Sequence, residues 1–299
     1  MRSRIRTLFK ILTFPLRMIA GLIRWVFGWA GALGRELGGL FAEDPPESTM
    51  IDALTKAVQD PAGVLEHINA LRKHLLRATI VLLLTTSLSL FYARQIMEFL
   101  AGPIGGIQNL RAIGVTEPIG VFMRVSFLSG FAIALPYIIL ELLLFAAPGL
   151  KRRERKVGLI AVPAISVLFL FGMGFTYFFM LGPALEVLIG FMDIPTTPQP
   201  SSYFPFVTSL MFWIGLSFEF PLLIYVVVSI GLIRANVLIA QARTAVVLLA
   251  VLAAAITPTI DPINMLLVWG PLVALYFLGI GLALIAQRGR DRRLKAGAG

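Results

Sequence analysis

Cysteine is absent from this chain, and histidine occurs only twice, at His67 and His74. Thiol chemistry and Cys/His zinc sites are thereby excluded, and any catalytic histidine would have to be one of those two. The sequence contains no GxSxG, no HExxH and no P-loop. Gly172-Met173-Gly174 and Gly279-Ile280-Gly281 lie inside apolar runs, without the strand context of a nucleotide-binding loop, and are better read as close helix packing. Charge is also scarce. Asp, Glu, Lys and Arg make up 14% of the chain, against about 25% in a soluble domain.

What fills the chain instead is apolar: 58% of its 299 residues are hydrophobic, and the mean hydropathy is +0.87. The apolar stretches are continuous rather than alternating, which excludes a closed β-barrel. The class is an all-α polytopic membrane protein. The net charge is +10. On a soluble protein that would suggest nucleic acid, but here most Lys and Arg sit at the ends of apolar runs, where topology explains them better.

Residues 1–60 form a basic extension and linker. Lys10, Arg17 and Arg24 are spaced to share one helical face, with Phe9, Leu12, Leu16, Ile19, Ile23 and Phe27 largely on the other. This predicts an amphipathic helix lying on an anionic membrane surface, the alternative being a basic arm. Neither a signal peptide nor a span fits charges that recur so often.

Six apolar segments follow within residues 61–287: Ala78–Ala93, Val121–Ala147, Val157–Leu185, Tyr203–Ile233, Ala245–Ile256 and Ile263–Ala286. The fifth is about 18 Å long as a helix, short of a hydrocarbon core of about 30 Å. The basic segments are the N-terminal arm, 151–156, 234–243 and the 288–299 tail. Six spans put all four on one side. The loops 186–202 and 257–262 contain no Lys or Arg. The positive-inside rule then predicts that both termini are cytoplasmic.

Three polar features stand out. Glu154 lies within the basic run Lys151-Arg152-Arg153-Glu154-Arg155-Lys156. It either screens its neighbours or offers a guanidinium a bidentate acceptor. Glu219 is the only charge between Asp193 and Arg234, at a depth where comparable charges cost roughly 2.5–3.5 kcal/mol. It is read as functional or as paired with a neighbouring span. Asp261, beside Pro262, is read as a turn residue or helix cap, or as a functional acid.

Taken together, these residues resemble the TatC family of twin-arginine protein translocase subunits. Four motifs over residues 64–287 carry the likeness: Glu66-His67-x-x-x-Leu71-Arg72; Phe145-Ala146-Ala147-Pro148-Gly149-Leu150 with the Glu154 loop; Ser217-Phe218-Glu219-Phe220-Pro221; and Thr257-Pro258-x-x-Asp261-Pro262. The resemblance implies a concave cup of six helices with short fifth and sixth spans in a prokaryotic cytoplasmic membrane. It implies a receptor for twin-arginine signal peptides of folded cargo, not an enzyme, with no cofactor. Its partners would be single-span proteins of the TatA and TatB types, in homo- and hetero-oligomers, with export driven by the protonmotive force. Signal-peptide binding would fall to Glu154, Glu66, His67, Leu71, Arg72, Lys73 and Phe145. Intramembrane or partner contacts would fall to Glu219, Asp261, Asn264, Pro103 and Glu117.

One departure affects the site. The family usually has a Glu just before its Leu-Arg pair, and here that position is Ala70. Glu66 lies one helical turn earlier on the same face and is expected to take over part of that role, or Glu154 alone carries the pair. A second departure is Met265, where many relatives are polar. The competing function is a proton-coupled secondary transporter using Glu219 as its relay, although the two halves show no repeat.

Overall fold

The computed structural model describes Gly34, Gly38 and residues 61–150, 152–190, 196–257 and 261–296. The amphipathic helix and linker expected over residues 1–60, and the middle of the 257–262 turn, fall outside them. The described residues form nine α-helices: α1 (Pro61–Leu100), α2 (Glu117–Ala146), α3 (Arg152–Phe175), α4 (Leu181–Ile189), α5 (Pro200–Phe218), α6 (Phe220–Ile230), α7 (Ala235–Ala240), α8 (Ala242–Ile256) and α9 (Pro262–Ala296). Five segments are long and apolar enough to cross a bilayer: 65–104, 117–149, 154–189, 200–229 and 262–290. Helix α8, with 15 residues, is not, at about 22 Å.

Three segments depart from expectation. The first helix does not stop at the edges of the apolar run. Its 40 residues reach about 60 Å, twice the hydrocarbon core, so the polar turns Glu66–Arg77 continue the span. The fourth apolar segment is two helices, α5 and α6, divided at Glu219. Pro221 has no N–H for the Ser217 carbonyl, and its ring crowds that carbonyl. The Glu219 N–H turns instead to Leu216 O at 3.2 Å. The sixth segment is not short: α9 is 35 residues, because the basic residues beyond Ala286 end the apolar run without ending the helix.

Small residues set how closely the helices approach. A Cβ on Gly130 of α2 would lie 2.5 Å from the Thr86 Cα of α1, and one on Gly172 of α3 would lie 2.8 Å from the Gly215 Cα of α5. At the first crossing Thr85 Oγ1 also donates to Gly130 O at 2.8 Å. Gly279 likewise abuts Ile224 of α6, whereas Gly174 and Gly281 face open space. Backbone contact of this kind drives association where lipid removes the hydrophobic incentive. Between these crossings lies a core in which Phe169, Phe204, Leu210 and Ile214 are fully buried. The rings of Phe131, Phe169 and Phe212 meet there edge to face. Large apolar side chains such as Phe91 (80% exposed) and Ile160 (72%) point outward, as a lipid-facing surface requires.

The helix ends are satisfied by distant side chains. Tyr177 and Tyr203 donate to Phe99 O and Leu100 O, each at 2.7 Å, closing the C-terminus of α1. Helix α9 braces the short helices: Trp269 Nε1 donates to Val246 O at 3.1 Å, Tyr276 to Leu238 O at 2.8 Å, and Gln287 Oε1 accepts the Ala235 N–H at 2.8 Å. Replacing Gly130 with Leu forces α1 and α2 apart. The expected cost is about 1–3 kcal/mol, read as a lower midpoint in a detergent-solubilised unfolding titration, whereas Gly174→Leu should leave the midpoint nearly unchanged.

Candidate functional site

The polar N-terminal turns of α1, the C-terminal end of α2 and the first turn of α3 meet at the end of the bundle that bears the 151–156 run. Glu66, His67, Leu71, Arg72 and Lys73 are all exposed there. Phe145, half-buried on α2, stacks on His67 with ring centroids 4.5 Å apart and meets His74 edge-on at 6.2 Å. Next comes the tight turn Ala147–Gly149, which delivers the chain into α3. Glu154 lies in the first turn of α3, where the helix dipole favours a carboxylate. Its neighbour Arg155 is buried and donates from Nε to Leu150 O at 2.9 Å, pinning the turn.

Beneath this surface lies an acid near the end of α2 that the sequence motifs do not single out. Glu141 is 1% exposed. His74 Nδ1 donates to its Oε2 at 2.6 Å, and Arg77 Nη1 lies 3.9 Å from the same oxygen. The Tyr137 hydroxyl donates to Oε1. The carboxylate therefore holds one neighbour from its own helix and two from α1. Its spacing carried the signal. Tyr137, Glu141 and Phe145 recur every four residues on α2, and His67, His74 and Arg77 share a face of α1.

The remaining candidates lie elsewhere. Glu219 is 4% exposed at the α5–α6 break, and its Oε1 has no hydrogen-bond partner. Asp261 caps α9: the Asn264 N–H donates to Oδ1 at 2.6 Å and the Asn264 amide to Oδ2 at 3.0 Å. Asn264 is turned inward, 1% exposed. Pro103 is exposed in the short helical turn after α1. Glu117 opens α2 and accepts the Gly114 N–H at 2.9 Å. Among the described residues no group of three His, Asp or Glu could hold a metal ion.

The fold is that of a polytopic helical membrane protein with a polar surface at one end of its bundle, and the family it matches makes it a protein-transport component. Residues 66–271 match the family model described as Sec-independent protein translocase protein (TatC). The TatC protein of Koribacter versatilis is 30% identical over 241 residues, covering 78% of this chain and 89% of that protein. That of Carboxydothermus hydrogenoformans is 30% identical over 226 residues, covering 75% and 93%. A crystal structure of the twin-arginine translocase receptor TatC superposes with a TM-score of 0.66 at 29% identity, over 74% of this chain and 99% of that one. The chain belongs to the TatC family.

Proposed function

We propose that this protein is the receptor subunit of a twin-arginine translocase and binds the paired arginines of export signals at the surface around the His67–Phe145 stack. The supporting observation is the stack of His67 on Phe145, which joins the segment bearing the exposed Glu66 to the helix that leads, through the Ala147–Gly149 turn, to the half-buried Glu154. Each carboxylate can take a guanidinium bidentately, and Leu71 offers apolar area beside it. The same reading has α8 complete a six-span arrangement with both termini on the cytoplasmic side of a prokaryotic inner membrane. Signal-bound receptor would join single-span partners of the TatA and TatB types, and the protonmotive force would drive the folded cargo across.

A second reading is favoured by one observation: Glu219 is a buried acid at a helix discontinuity, as in the binding sites of secondary transporters. Under the receptor reading Glu219 is instead a hydrogen-bonding contact for a partner's span or the inserted signal.

Two outcomes follow. A photo-crosslinker at position 154 should capture a twin-arginine signal peptide, and lysine exchange of its arginines should cut capture about tenfold, since a bidentate charge-assisted contact of roughly 1.5–3 kcal/mol is lost. Undiminished capture contradicts the receptor reading, and normal capture in Glu66→Ala shows that Glu154 acts without it. Separately, Glu219→Gln should keep much of the export activity while Glu219→Ala weakens partner association. Complete loss of export in Glu219→Gln supports the proton relay.

A further inference from the structure

At the opposite end of the bundle a second polar device stands apart from the surface around Glu154. Arg124 is the eighth residue of α2, an arginine inside a span and exposed. It crosses to α5: Nε donates to Thr208 Oγ1 at 3.0 Å and Nη2 donates to Ser209 Oγ at 2.7 Å. Both partners are neutral hydroxyls. Among the described residues no carboxylate pairs with Arg124. Helices α2 and α5 both begin at this end, so Arg124, Thr208 and Ser209 lie at one level, about 10–13 Å along their helices. A full charge at that depth is costly unless something neutralises it or it reaches the interface.

Two cavities share Arg124 as a wall. The upper, of about 630 Å³, opens toward the ends of the helices and is lined there by Thr196, Ser201 and Ser202. The lower, of about 310 Å³, runs deeper between Phe127, Phe212 and Trp213. Phe127 is 50% and Trp213 41% exposed, so this second cavity opens to the bilayer. The order from the end of the bundle inward is therefore hydroxyls, guanidinium, aromatic groove. That is the order of a glycerophospholipid: polar headgroup, phosphodiester, acyl chain.

We infer that Arg124 and the two cavities beside it form a binding site for an anionic phospholipid of the leaflet at this end, with a hydroxyl-bearing, amine-free headgroup such as phosphatidylglycerol. The guanidinium has donors left over from Thr208 and Ser209 for a phosphodiester oxygen, a geometry arginine suits. The lipid supplies the negative charge that the span lacks. No described residue lining either cavity is acidic, Glu186 lining only the adjoining one, so an ammonium headgroup finds no counter-charge within the two cavities, whereas glycerol hydroxyls meet Ser201, Ser202 and Thr196. The phosphate itself need not come from a lipid, and a partner's membrane carboxylate is the other anion that could reach Arg124.

The test is native mass spectrometry of the full chain released from nanodiscs of equal phosphatidylglycerol and phosphatidylcholine. One phosphatidylglycerol should remain per wild-type chain, at least about fivefold in excess of phosphatidylcholine. Retention should fall about tenfold in Arg124→Gln and partially in Trp213→Ala, with circular dichroism unchanged. Equal retention of the two lipids by the wild-type chain overturns the proposal without recourse to any variant. So does undiminished retention in Arg124→Gln. Displacement of the lipid by millimolar inorganic phosphate would mark a site for free anions, and crosslinking of position 124 to a co-purified polypeptide instead of lipid would mark a partner's acid. Either result also overturns it.

Discussion

A carboxylate buried at the edge of a membrane has to be paired, and Glu141 is paired across the contact between α1 and α2. Breaking such a pair by removing one member costs about 3–5 kcal/mol, because the remaining charge is left stranded. That makes the network a rigid joint. From Glu141 it passes through His74 to the edge of Phe145, and from Phe145 to the stacked ring of His67. The exposed residues Glu66, Leu71 and Arg72 belong to the helix fixed at the far side of that joint. Glu154 follows the turn that Arg155 pins from the near side. Two chain segments that carry the candidate acceptors are thus referred to one buried group.

The two ends of the bundle solve the problem of membrane charge in different ways. At the end bearing the 151–156 run, a buried acid is satisfied internally, by hydrogen bonds to His74 and Tyr137 with the Arg77 guanidinium close by. At the other end the hydrogen-bond partners of Arg124 among the described residues are two hydroxyls, which leaves the guanidinium without a carboxylate there. Glu219 is intermediate: it is buried beside a helix break with one oxygen unpartnered. The break follows from Pro221, so the chain places a proline where it opens the backbone next to a buried acid.

Much of this was legible in the sequence. The apolar runs, the weak fifth segment and the motifs around Glu66, Phe145, Glu154 and Glu219 identified the class, and the similarity to TatC proteins agrees with them. Asp261 as a cap was among the readings open from its place before Pro262. The division at Glu219 was signalled by Pro221 but was absorbed into one long apolar run. The length of α9 was missed because hydropathy marks where a lipid-facing run ends, not where helical hydrogen bonding ends. Glu141 was missed for a different reason. Its partners lie on α1, with His74 67 residues away in sequence, and a lone acid near a span's end reads as an interfacial residue until the opposing helix is placed. Arg124 was hidden in the same way: its two hydroxyl partners are more than eighty residues distant.

The central claim is that Glu141 fixes the two halves of the polar surface relative to one another. The chain has no cysteine, so spin labels at Ile68→Cys and Lys156→Cys report uniquely on that relation. Double electron–electron resonance should give a narrow distance distribution in the otherwise native chain and a broadened one when Glu141→Ala is added. An equally narrow, unshifted distribution in the Glu141→Ala protein would contradict the account.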